Sequence, residues 1–266
     1  MKSYLSLVPI SAKVRKRQNR MTILCVIISI FLVTAIFSVA DMMIRTQSDR
    51  MTGKNGSWHI ELDGISQETA LKIAERDDVV SIGAVTIFNP DGELPYRMDG
   101  KRVVLYGIDQ SYLTMNSTGA AEGRFPQGMG EIMLSSNAAR VLQVAVGDTV
   151  TLRTPSGDWD FTVSGLGGVE ESYYSGQYSL MDAYLPRTAF AALMEQNNVH
   201  NLQTSYYVQF TSASKAAKAI PELTAQHNLP ENAVSENTGV MAIAGHSDSS
   251  AAKNVYSLAA GLFVLV

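Results

Sequence analysis

The distribution of apolar and polar positions divides the chain into unlike parts. From Met21 to Ala40 the sequence reads "MTILCVIISIFLVTAIFSVA", twenty residues without a charge. Coiled as a helix at about 1.5 Å per residue, this run is about 30 Å long, close to the hydrocarbon thickness of a bilayer. Its few polar members (Thr22, Ser29, Thr34 and Ser38) can return hydrogen bonds to their own backbone. The pattern predicts a transmembrane helix over 21–40. A cleaved signal peptide is the alternative, given "SVA" before Asp41, but apolar runs in such peptides are usually about 7–15 residues long. Residues 41–56 read as a helical, juxtamembrane extension that frays at Gly53 and Gly56.

Beyond residue 56 the period changes. "SWHIELDG" alternates Trp58, Ile60 and Leu62 against His59, Glu61 and Asp63, the mark of a half-buried strand. "ISQETALKIAERDDV" follows as a helix with Ser66 as N-cap and Leu71, Ile73 and Ala74 on one side, and "VVSIGAVTIF" is a second strand. The same strand–helix–strand order recurs in "SYYVQFTS", "SASKAAKAIPELTAQHN" and "AVSEN", with Pro221 expected to kink the helix or restart it. Two such halves around a long insert predict an α+β domain over 57–236, a split βαβ ferredoxin-like core, with a β-rich insert at about 108–180.

Within the insert, "GEIMLSSNAARVLQVAVGDTVTL" predicts a strand, a short helix capped at Ser135 or Ser136, a tight Gly147-Asp148 turn and a strand. "TVTLRTPSGDWDFTVSGL" predicts a hairpin, with Pro155-Ser156-Gly157-Asp158 turning and Trp159, Phe161 and Val163 packing back on Val150 and Leu152. "GGVEESYYSGQYSLMDAY" reads as a loop and "LPRTAFAALMEQNN" as a helix with Pro186 near its first turn. Residues 237–254 are rich in Ser, Asn and Gly and read as a linker. The closing "SLAAGLFVLV" reads as the start of a second transmembrane helix, over 255–266, so the chain is expected to be the N-terminal fragment of a longer protein.

Charge supplies a direction. Residues 1–20 hold six bases (Lys2, Lys13, Arg15, Lys16, Arg17 and Arg20) and no acid. A basic N-terminal flank predicts that this segment stays in the cytoplasm and that residues from 42 onward lie outside the cell membrane. Lys13, Arg15, Lys16, Arg17 and Arg20 are therefore the candidate topology signal. A second role, as an amphipathic helix along the cytoplasmic face, stays open beside it. All 25 acids lie after residue 40, with 15 bases, a formal charge of −10 that argues against nucleic acid as a partner. Cys25, inside the span, is the only cysteine. An exported domain without disulfides is ordinary for bacteria.

Candidate chemistry is sparse. His59, His200, His227 and His246 form no i,i+4 pair and have no cysteine partner, so no metal or other cofactor is expected. His246, Ser247 and Asp248 have the residue types of a catalytic triad, but adjacent residues cannot form one. Asp158 and Asp160 share a strand face and read as solvated carboxylates. No enzymatic activity is expected. Tyr173, Tyr174 and Tyr178 are the candidate partner contact, since tyrosine offers contact area with few rotors; a loop packed on its own domain accounts for them as well.

Gly123-Arg124, Gly130-Glu131, Gly147-Asp148 and the strand Phe161–Gly165 occur in an order and spacing that resemble the MacB-like periplasmic core domain of FtsX-family ABC transporter permeases. The basic start followed at once by a span is similar too, as is "AYLPRTAFAAL". The resemblance implies a multi-pass permease of the bacterial cell membrane that pairs, as homodimer or heterodimer, with a cytoplasmic ABC ATPase. ATP-driven motion would reach the outer domain and act on an extracytoplasmic substrate or partner protein, by export or by mechanotransmission. The competing reading is the extracytoplasmic sensor domain of a two-span receptor or sensor kinase, whose layout of spans is the same.

Overall fold

The computed structural model of the chain describes residues 16–116, 120–167, 180–230 and 232–247. The elements in chain order are α1 (Lys16–Asn55), β1 (Ile60–Leu62), α2 (Gln67–Ala74), β2 (Val79–Phe88), β3 (Arg97–Met98) and β4 (Lys101–Ile108). Then come α3 (Gln110–Met115), β5 (Ala120–Gly123), β6 (Glu131–Ser135), α4 (Ser136–Leu142), β7 (Thr149–Thr154) and β8 (Gly157–Gly167). The order closes with β9 (Leu180–Pro186), α5 (Arg187–Gln196), β10 (Thr204–Phe210), α6 (Ala213–His227), β11 (Val234–Glu236) and α7 (Thr238–Ser247). Two compact units divide the chain, one holding residues up to Asp49 and the other Arg50–Gly245.

In the first unit, Lys16–Met43 is long and apolar enough to cross a membrane. The hydroxyls of Thr22, Ser29 and Thr34 donate to the carbonyls four residues back, at 3.1, 2.8 and 2.9 Å, so these three groups need no water. The helix does not fray at Gly53. It runs to Asn55 and stops at Gly56, whose φ of +82° turns the chain while its N–H donates to Thr52 O at 2.9 Å.

The second unit begins as a ferredoxin-like half. β11, β1, β10 and β2 lie side by side in that order, all antiparallel, with Ile60 opposite both Val208 and Glu236. One face carries Ile60, Leu62, Tyr206, Val208 and Phe210 into a core shared with α2 and α6. Ser66 caps α2, accepting from Thr69 N at 3.1 Å. The buried side of α2 is Ala70 and Ile73, whereas Leu71, expected on that side, is exposed. α6 runs unbroken through Pro221, because Pro221 and Ala217 are on its solvent side, where water can serve the carbonyl that proline leaves unpaired.

β2 pairs with β4, and there the sheet curls into a closed ring, β4-β3-β7-β8-β6-β9 and back to β4. Alternate residues fill its interior, among them Val103, Leu105, Ile132, Leu152, Phe161 and Ala183. α5 stoppers one end with Phe190 and Leu193. Gly107 has no side chain because one would meet Phe190: a Cβ there would lie 2.5 Å from Phe190 Cγ. The ring takes in β4 and runs on through α5, so the β-rich part extends past the expected 108–180 on both sides. Its hairpin is also tighter than expected. Thr154 faces Gly157, so Pro155-Ser156 alone make the turn, and the Thr154 hydroxyl donates to Gly157 O at 2.7 Å. Residues 238–247, expected within a linker, form α7.

Candidate functional site

The sheet face opposite α2 and α6 carries polar and aromatic groups. In register, Glu61 of β1 faces Tyr207 of β10, which faces Gly83 of β2. The Tyr207 hydroxyl donates to Glu61 Oε1 at 2.8 Å, and the Ser205 hydroxyl donates to Asp63 Oδ1. α3 lies over this face because Asp109 anchors it twice. One Asp109 carboxylate oxygen accepts from Tyr112 N at 2.8 Å, the other from Ala84 N at 2.9 Å. Tyr112 and Trp58 then meet the Tyr207 ring edge-on, with centroids 5.1 and 4.9 Å away. Further along the face, Tyr106 stacks on Tyr184 at 5.0 Å.

Partial burial sets the electrostatics of this face. Desolvation raises the Glu61 carboxyl above its ordinary range, against the opposing Tyr207 hydrogen bond. It raises Tyr112 to about 12 and pushes Tyr207 upward as well. Asp182 is raised by burial, opposed by a hydrogen bond from Tyr106. These acids are engaged by hydroxyl donors, with no nucleophile–base pair among them. The arrangement suits holding and packing. Among the described residues no three His, Cys, Asp or Glu side chains converge to bind a metal ion.

A second focus is the end of α1. Ser57 N donates to Met115 O at 2.5 Å, tying the segment after α1 to the last residue of α3. Asn237, buried between β11 and α7, donates from Nδ2 to Asn55 O at 3.1 Å and to Trp58 O at 2.9 Å. Its backbone N–H donates to His59 O at 2.9 Å. His59 is itself buried, its Nδ1 accepting from Phe210 N at 3.1 Å, and desolvation lowers its pKa.

The glycine-containing motifs prove to be physically joined. Arg124 grips the Glu131 carboxylate with both terminal nitrogens, and Glu131 Oε2 also accepts from Gln127 N at 2.8 Å and Gly128 N at 3.2 Å. The Arg124 bonds, then the backbone donors, hold Glu131 down to about 2. Gly147, with φ of +98°, donates to Val163 O at 2.8 Å, and Asp148 Oδ2 accepts from Ala145 N at 2.8 Å. Gly165 lies so close to Arg124 that a Cβ would sit 2.4 Å from its carbonyl oxygen.

Of the residues singled out from sequence, Tyr173, Tyr174 and Tyr178 lie outside the described residues, as do Lys13 and Arg15. Lys16, Arg17 and Arg20 are exposed in the first turns of α1. Asp160 accepts from the Thr151 hydroxyl at 2.6 Å, a surface cross-strand bond. The Glu61–Tyr207–Tyr112 cluster and Asn237 were missed. For Asn237 a signal existed: an Asn three residues ahead of the apolar run "VMAIA" is an N-cap pattern, outweighed there by the Ser/Gly composition that follows.

A family model described as the MacB-like periplasmic core domain matches residues 21–226. Among solved structures, the periplasmic region of MacB from Actinobacillus actinomycetemcomitans aligns with a TM-score of 0.50 at 15% identity, covering 71% of this chain and 93% of that one. The extracellular domain of YknZ, a noncanonic ABC-type transporter of Gram-positive bacteria, aligns with a TM-score of 0.46 at 15% identity, over 67% of this chain and 98% of that one. At such identity the MacB alignment speaks for a common fold and is silent on ligands. No curated protein sequence matches this chain.

Proposed function

This chain belongs to the MacB-like periplasmic core domain family, an extracytoplasmic part of ABC-type transporter permeases, and from that premise we propose that it relays ATP-driven motion from the membrane to its outer body. The observation that carries the reading is the extent of the family match, which starts at Met21 in the apolar helix and continues through the folded body to Gln226. The helix α1, which runs from Lys16 to Asn55 and so continues past the apolar segment, supports it. ATP hydrolysis belongs to a cytoplasmic ATPase partner, and the permease works as a homodimer or heterodimer in a multi-pass arrangement. Its N-terminus is cytoplasmic, with Lys13, Arg15, Lys16, Arg17 and Arg20 as the orientation signal. Tyr173, Tyr174 and Tyr178 are the proposed contact for an extracytoplasmic substrate or partner protein.

The family match favours this reading over a two-span sensor. Affinity purification of the full-length protein from membranes tests it, with mass spectrometry of what comes along and a cysteine-accessibility map of both sides. The expected result is an ABC ATPase in the eluate and residues 57–236 accessible from outside. A histidine kinase domain on the same polypeptide, or a cytoplasmic body, would overturn it.

A further inference from the structure

Asn237 joins its own stretch, where β11 gives way to α7, to the stretch from the end of α1 into β1, two parts that the chain order keeps far apart. Its side-chain amide spends both protons on carbonyls at the end of α1, those of Asn55 and Trp58. The Asn55 carbonyl belongs to the last residue of α1, where the helix itself supplies no partner. At the same time Asn237 Oδ1 accepts from Val240 N at 3.4 Å and its carbonyl accepts from Met241 N at 2.9 Å, so the same residue starts α7. Its backbone N–H closes on His59 O, next to the β1–β11 pairing of Ile60 with Glu236. Gly239 completes the fit: a Cβ there would lie 2.1 Å from Asn55 Nδ2. An exposed linker would need none of this, and a buried amide with every group satisfied holds one geometry.

We propose that Asn237 is a positioning residue of the relay, a joint that makes the end of α1 and the start of α7 move as one piece with the β1–β11 edge. The inference rests on the relay reading above and adds the residue through which motion enters the sheet. A displacement arriving along α1 reaches β1 through the Asn237 amide and two rigid strands, and it reaches α7 by the same bonds. Without the amide, residues 56–59 can absorb the displacement locally.

The test uses the full-length permease with the ATPase that co-purifies with it, in nanodiscs. Hydrogen–deuterium exchange is read at residues 60–62 and 234–236, nucleotide-free and after trapping with ATP, magnesium and vanadate. The intact protein should show a nucleotide-dependent difference there. In Asn237→Ala, and in Asn237→Asp, which keeps the cap acceptor and loses both donors, the difference should vanish. A merely structural role would raise exchange in both states and leave the difference in place, and that result overturns the joint while leaving the relay standing. No difference in the unmutated protein overturns the relay and the joint with it. Should both substitutions prevent folding, Asn55→Cys with Gly239→Cys, in a Cys25→Ser background, decides the matter. Oxidised, this pair locks the two ends together, so the nucleotide-dependent difference should persist; its loss overturns the joint.

Discussion

Gly83 is the position where one added methyl group should do the most damage. It sits in β2 directly beneath α3, and a Cβ there would lie 2.4 Å from Tyr112 N, 2.6 Å from Tyr112 Cα and 2.7 Å from Met115 Cε. Two of these neighbours are backbone atoms, so no rotamer change relieves the clash. For Gly83→Ala, α3 must rise by about 1 Å to restore van der Waals contact. Overpacking of this kind costs about 1–3 kcal/mol. The rise also stretches the Asp109 bridge between Ala84 N and Tyr112 N, a charge-assisted pair worth about 1 kcal/mol or more. A total of about 2–4 kcal/mol in a body of this size lowers Tm by about 5–15 °C. Thermal unfolding of the intact chain in detergent, followed by intrinsic fluorescence, measures it, with Gly130→Ala as the control because nothing lies within 4 Å of a Cβ at that position. A Gly83→Ala protein melting within about 2 °C of the unmutated one would refute the placement of α3 and, with it, the Ser57–Met115 tie.

Other substitutions probe the electrostatics and the ring. Glu131 is lowered from 4.5 to about 2, so its contribution is complete above its ordinary pKa and is lost as pH falls through about 2. The lowering sets a ceiling of about 3 kcal/mol, which solvent at the half-exposed Arg124 reduces to about 1. Glu131→Gln should therefore melt lower than the unmutated protein at pH 7, and the gap should narrow by pH 3; a gap independent of pH would exclude this origin. Glu61 is raised, so its ionised form opposes folding and stability is gained as pH falls through its folded pKa. Glu61→Gln still accepts from Tyr207 and should be at least as stable as the unmutated protein at pH 8, the two converging towards pH 4. Melting curves across that range decide it, and a Glu61→Gln protein weaker at pH 8 would be the contrary result. Phe161→Ala empties the middle of the ring, where Phe161 is 1% exposed, and should cost about 3–5 kcal/mol in chemical denaturation; a cost under about 1 kcal/mol would mean that the ring is not the core it is taken for.

What could be read from the sequence was what local physics determines. The apolar run 21–40, the Ser66 cap and the alternation in β7 and β8 each depend on neighbours within a turn or a hairpin, and those features appear in the structure. The ferredoxin-like order was legible because it follows from repetition of a strand–helix–strand unit. The closed ring was not. Its closure depends on the parallel pairing of β4 with β9, Tyr106 against Tyr184, across more than seventy residues, and no periodicity announces which strand will be the partner. β4 therefore read as the end of one module when it is shared by two. Leu71 shows the same limit on a smaller scale: one short helix can offer either Leu71 or Ala70 to the core, and the strand beneath, with its own large side chains, leaves room for the smaller.

The candidate sites were hidden for a related reason, and the way they were hidden bears on function. Gly123-Arg124 and Gly130-Glu131 were visible as separate dipeptides, yet their physical content is one ion pair between residues seven apart in the chain, with two backbone donors added to it. Gly165 then serves that pair by letting the Arg124 carbonyl approach. The Arg124–Glu131 pair thus braces the start of β6, a structural task, which explains how the motif can identify a scaffold without identifying a cargo. Asn237 presents the opposite case. It belongs to no motif, its partners lie about 180 residues away, and its neighbours suggest a tether. A tether, however, would leave an asparagine in water, and this one is 5% exposed with both amide protons bonded to the segment that follows the apolar helix. The relay proposed above requires stiffness where α1 and α7 meet the sheet, and there the buried amide is found.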